Sequence, residues 1–156
     1  MKSRKSSSLN EFLQPVLSGK LLGIDFGLRR VGLAVCDPQG RIAVGAGRIE
    51  GSSGRNLILK ITKEAKGRGV EGIVVGRPAA TRGNDVVTRG AARIAEEIVR
   101  YGFKVTMWSE GYTSAAALAA RKHFGGKKSS DKGWIDEAAA IILLQDYLAW
   151  ARGKSG

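Results

Sequence analysis

Residues 21–37 read LLGIDFGLRRVGLAVCD, and the interpretation of this stretch decides the fold. KLLGIDFG, 20–27, reads as a strand, Gly27 gives the turn its backbone freedom, and RRVGLAVCD, 29–37, is a second strand. The turn DPQG at 37–40 leads into GRIAVGAGRIE at 40–50, which continues as a third strand. Connections this short join antiparallel neighbours, so the three form a meander. One residue does not belong. Asp25 stands inside the first apolar run, where an unpaired carboxylate costs several kcal/mol or is driven to neutrality.

Downstream the pattern changes. RNLILKITKEAKGRG, 55–69, has apolar residues at 57, 58, 61 and 65, which predicts a helix stopped by Gly67 and Gly69. VEGIVVGRP, 70–78, is a fourth strand ending in a Gly-Arg-Pro loop. NDVVTRGAARIAEEIVRYG, 84–102, is a helix capped by Asn84 and closed by Gly102, and FKVTMWSE, 103–110, is a fifth strand. TSAAALAARKHF, 113–124, is a short helix capped by Thr113 or Ser114, followed by the polar loop GGKKSSDKG, 125–133. WIDEAAAIILLQDYLAW, 134–150, is apolar on nearly every side and should be buried. The order βββ-α-β-α-β-α-α implies an α/β domain with a mixed five-stranded sheet and helices on both faces. Residues 1–19 read as a basic, Ser-rich arm or short helix, 20–150 as a single domain and 151–156 as a tail.

The 156 residues carry 26 Lys plus Arg against 14 acids, a net charge of +12. Such a surplus points to a polyanionic partner. The longest strictly apolar run, AAAIILL at 138–144, is far short of a membrane span. The lone cysteine, Cys36, excludes an internal disulfide and a cysteine-ligated zinc, and its alternation with Ala34 reads as a small core residue. The N-terminus lacks a secretory apolar segment. That leaves the cytoplasm, or a plastid or mitochondrial matrix if the basic N-terminus is a transit segment.

With acids scarce, two more carboxylates in apolar settings stand out beside Asp25. Glu110 ends the fifth strand after VTMW, and Asp136 lies in the first turn of the last helix, sharing a face with Ala140, Leu143 and Tyr147. Each acid alone has a plain structural reading: a turn ligand, a strand end, a favourable charge at a helix N-terminus. Together they resemble a site for Mg²⁺ or Mn²⁺, which take oxygen ligands and let like carboxylates ionise side by side. Asp37 belongs to a turn, Glu137 points away from Asp136, and Asp146 is the weakest exclusion.

LLGIDFGLRRVGLAVCDPQGR, IVVGRP, WSEGYTS and IDEAAAIILLQDYL, taken in this order, resemble the signature segments of the YqgF/RuvX family. Members are described as pre-16S rRNA nucleases and as Holliday junction resolvases, with a ribonuclease H-like fold. The resemblance implies that Asp25, Glu110 and Asp136 are the catalytic, metal-holding acids, with two metal ions. It also implies precursor ribosomal RNA as substrate, with pre-ribosomal particles as partners, or a four-way DNA junction. Junction cutting needs a dimer, RNA cutting only a monomer. The chain departs from the family at SEGYTS, where the usual motif is Asp-Glu-Arg-Leu-Thr-Thr: Ser109 replaces an acid and Gly111 an arginine. At Arg77 the family's usual residue is leucine.

Phosphate contacts are expected from Arg29, Arg30, Arg77, Thr113, Arg121, Lys127, Lys128 and Lys132, with Arg82, Lys122 and His123 nearby in sequence. Two rivals have a sequence basis. GIDFG also resembles the phosphate-binding hairpin of actin-like ATPases, although those need two such domains. The altered SEGYTS suits a non-catalytic RNA-binding module, although a pure binder gains nothing from three acids that repel phosphate.

Overall fold

A computed structural model describes residues 19–77, 85–109 and 132–155. Five strands, β1 (Leu21–Phe26), β2 (Arg30–Cys36), β3 (Ala43–Glu50), β4 (Gly72–Arg77) and β5 (Lys104–Ser109), form one mixed sheet in the order β3-β2-β1-β4-β5. β1 is central. It pairs antiparallel with β2, matching Asp25 to Gly32, and parallel with β4, matching Ile24 to Val75; β4 pairs parallel with β5 up to Arg77 and Ser109. This is the expected mixed sheet.

Three helices among the described residues, α1 (Gly54–Arg68), α2 (Asp85–Arg100) and α3 (Lys132–Ser155), cover both faces. Alternation along β1 sends Leu22 and Ile24 into one core with Leu33, Ile61, Ile73 and Ile98, beneath α1 and α2. The opposite face packs Leu21, Ala34 and Val74 against Leu144, Tyr147 and Leu148 of α3. α1 buries Leu57, Ile58, Ile61 and Ala65, the expected stripe. It ends where Gly69 adopts a left-handed conformation (φ 66°) and its N–H reaches the carbonyls of Ala65 and Lys66.

Three details differ from the sequence reading. β3 begins at Ala43 rather than at 40, because Asp37 Oδ1 accepts the N–H groups of Arg41 (2.7 Å) and Ile42 (3.0 Å) and extends the turn. α3 runs from Lys132 to Ser155 rather than over 134–150, taking in most of the expected tail, where Ala151 packs into the second core. Nor is it buried all round: Ala140, Leu143, Leu144 and Tyr147 are inaccessible, while Ile141, Ile142 and Asp146 are half-buried. Trp150, expected in the core, is 36% exposed and instead lies at the margin of the second core, against the rings of Trp108 (5.2 Å) and Tyr147 (5.7 Å). The expected helix at 113–124 and the N-terminal arm lie outside the described residues.

Candidate functional site

The alternation that puts Leu21 and Gly23 under α3 puts Asp25 on the same face, at the carboxyl end of the central strand. Two glycines let α3 come down onto that face. A Cβ at Gly23 would stand 2.9 Å from Leu144 Cβ, and one at Gly32 would collide with the backbone carbonyl oxygen of Asp136. Gly32 is the cross-strand partner of Asp25. The backbone of α3 at Asp136, one turn in from the helix start at Lys132, is therefore seated over the residue directly beside Asp25. Two of the three singled-out acids, Asp25 and Asp136, are brought to one place by close backbone contact.

Asp136 is held there. Arg30, two residues from Gly32 and on the same face, donates from Nε to Asp136 Oδ2 across 2.7 Å. The side chains are 27% and 23% exposed, so the pair is partly shielded from water and is worth about 1 kcal/mol. Glu137 does point away, as expected: its Oε2 accepts the N–H of Gly47 (2.6 Å), and its side chain fills the space over Gly45. This anchors the same helical turn to β3. Asp146 lies ten residues along α3 from Asp136, about 15 Å, so it belongs to a different place. Burial pushes its carboxyl above the usual range. Asp37 is shifted the opposite way, held low chiefly by the N–H groups of Ile42 and Arg41.

β1, β4 and β5 run parallel, and their carboxyl ends finish together, the usual location of sites in such sheets. Glu110 follows Ser109, the last residue of β5, and lies outside the described residues, as do Thr113, Arg121, Lys127 and Lys128. Arg77 is placed as the last residue of β4 and Lys132 as the first of α3. Arg29 is exposed at the tip of the β1–β2 hairpin. No cluster of three metal-ligating side chains occurs among the described residues. The donors that do converge suit a hard divalent cation: both are carboxylates, and the position already attracts a guanidinium.

Sequence reasoning missed the Arg30–Asp136 pair and the part played by Gly32. An isolated glycine within a strand signals close approach of another backbone. Both Gly23 and Gly32 carried that signal without naming the partner.

The family model described as "RuvX: Holliday junction resolvase" matches residues 19–150. A protein of Chloroflexus aurantiacus is 35% identical over 133 residues, 82% of this chain and 85% of its own. One of Synechocystis sp. is 37% identical over 135 residues, 81% and 85%. Both carry the name "Putative pre-16S rRNA nuclease". Among solved structures, Thermus thermophilus RuvC in complex with a Holliday junction substrate aligns with a TM-score of 0.59 at 18% identity, covering 88% of this chain and 98% of that one. The yeast mitochondrial Holliday junction resolvase Ydc2 aligns at 0.52 and 11%, covering 96% and 86%. At these identities the structural likeness concerns the fold.

Proposed function

Because the chain belongs to the RuvX Holliday junction resolvase family, we propose that it is a divalent-metal-dependent endonuclease that hydrolyses phosphodiester bonds in precursor 16S ribosomal RNA. The observation that carries this is the seating of α3 on Gly32, which sets Asp136 beside Asp25 at the carboxyl end of the central strand. The names of the curated relatives support RNA as the substrate.

Asp25, Glu110 and Asp136 would hold the metal, Asp25 from the most rigid position because both its neighbours are strands. When bound, Mg²⁺ or Mn²⁺ supplies an activated water and stabilises the leaving oxygen. Arg30 fixes the Asp136 carboxylate through Oδ2. Arg29 at the hairpin tip, Arg77, Thr113 and Lys132, and the 121–128 segment with Arg121, Lys127 and Lys128, bind phosphates of the strand. The arginines and lysines work by charge, so affinity falls steeply with salt, while Thr113 offers a neutral hydroxyl.

The test is cleavage of a labelled single-stranded precursor RNA and of a four-way DNA junction with Mn²⁺, comparing wild type with Asp25→Asn. RNA cleavage lost on mutation and on chelation is the expected result. Junction cleavage instead would make the chain a resolvase acting as a dimer. RNA binding that survives chelation, with neither substrate cut, would make it a binding module.

A further inference from the structure

On the face of the sheet opposite Asp136 lies a cavity of about 590 Å³, between α1, α2 and the start of the β1–β2 hairpin. Its size is that of a small-molecule pocket, roughly 300–1,000 Å³. Phe26, Leu57 and Ile94 form an apolar floor, and Tyr101 and Leu28 stand at its margin, 38% and 62% exposed. Large apolar groups left in water around a concavity mark a place where something apolar is bound.

The polar part of the lining is cationic. Arg55 and Arg93 are both exposed, and neither has an ion-pair partner among the described residues. The carboxylate in the lining, Glu97, is paired with Arg100 (3.2 Å), so it leaves the two arginines uncompensated. Guanidinium groups select phosphate through paired N–H donors, and they also stack on flat rings. The chemistry that satisfies this lining is a flat, largely apolar ring joined to a phosphate.

We propose that this cavity is a nucleotide subsite that receives an unpaired nucleotide of the substrate strand, its base against Phe26 and Tyr101 and its phosphate on Arg55 and Arg93. The inference rests on the nuclease reading above. Phe26 and Gly27, which line the cavity, immediately follow Asp25 in the chain. A strand held in the cavity therefore passes round the hairpin tip, past Arg29, to reach the carboxylates on the other face. A base paired within a duplex cannot enter such a cavity without being extruded, so the subsite favours single-stranded RNA.

The full chain is titrated with AMP, inorganic phosphate and a short oligoribonucleotide in chelator, following amide NMR signals of Gly54, Gly90 and Tyr101. AMP and the oligonucleotide should shift these signals and saturate, and phosphate should bind at least about tenfold more weakly, the difference being the stacked base. Arg55→Ala with Arg93→Ala, and separately Tyr101→Ala, should each weaken AMP at least about tenfold, a loss of 1.4 kcal/mol. Asp25→Asn should leave binding unchanged. Equal binding of phosphate and AMP, or no shift at these amides, overturns the subsite. AMP binding of this pattern in a protein that cuts no nucleic acid would sustain the subsite and overturn the nuclease reading. Asp25-dependent RNA cleavage unaltered by the arginine substitutions, with no AMP binding, would overturn the subsite alone.

Discussion

Arg30 Nε and Asp136 Oδ2 lie 2.7 Å apart, joining the first residue of β2 to the second turn of a helix more than a hundred residues later. The pair sets a positive charge against the Asp136 carboxylate. Removing the guanidinium makes the site more negative. Arg30→Gln should therefore be less stable than wild type in chelator, by about 1 kcal/mol, and should gain more thermal stability from added Mn²⁺ than wild type gains. Melting curves with and without Mn²⁺ measure both. A smaller Mn²⁺ gain in the variant would show that Arg30 serves to orient Asp136 rather than to compensate its charge.

Gly32 is where α3 touches the sheet most closely. Gly32→Ala puts a methyl into the Asp136 carbonyl, forcing the helix outward at a cost of about 2 kcal/mol and displacing Asp136 from Asp25. Cleavage should be lost even in the fraction that remains folded. Gly67 is the counter-case: it lies within α1 with nothing near its missing Cβ, so Gly67→Ala should stabilise by about 0.5–1 kcal/mol. Urea unfolding of the two variants should move in opposite directions.

Cys36 is buried, with its Sγ accepting the N–H of Leu21 (3.2 Å), and burial raises its thiol above the ordinary value of 9.0. A thiol that binds its proton more tightly when folded contributes stability that is complete below the unfolded value. That contribution is lost as pH rises from there through the folded value. The stability difference between wild type and Cys36→Ala should thus be flat below about pH 8 and shrink above pH 9. The native thiol should react slowly with an aromatic disulfide reagent and rapidly in urea. Fast native labelling would contradict the buried placement.

Arg29 is exposed at the hairpin tip, and in the proposed function it binds phosphate without holding the metal. Arg29→Ala should weaken RNA binding to a similar degree for all sequences. It should also reduce the slope of log K against log salt by about one. Cleavage at saturating RNA should be nearly unchanged, since the residue holds substrate rather than ligands. Filter binding across a salt series reads this directly.

The meander, the alternating second half and the amphipathic α1 were legible because local hydrophobic periodicity and short connections dictate them. Asp25 and Asp136 were legible for a related reason: a carboxylate placed on an apolar period announces itself. The Arg30–Asp136 pair was not, because its partners meet only through the packing of α3 on β2. Glu137 clamping Gly47 was hidden in the same way. The start of β3 was misread because one side chain, Asp37, competes with the ladder for two backbone N–H groups. The exposure of Trp150 depends on where β5 lies under α3, which periodicity does not encode.

The two halves of the proposed carboxylate site are far apart in sequence, Asp25 on the central strand and Asp136 in α3 more than a hundred residues later. During synthesis, β1, β2 and β3 leave the ribosome long before Asp136 exists. A nascent chain can display Asp25 and its basic hairpin, and even hold nucleic acid, but it has no second carboxylate beside the first. The proposed cutting is therefore withheld until Asp136 has been translated and α3 can close over Gly32.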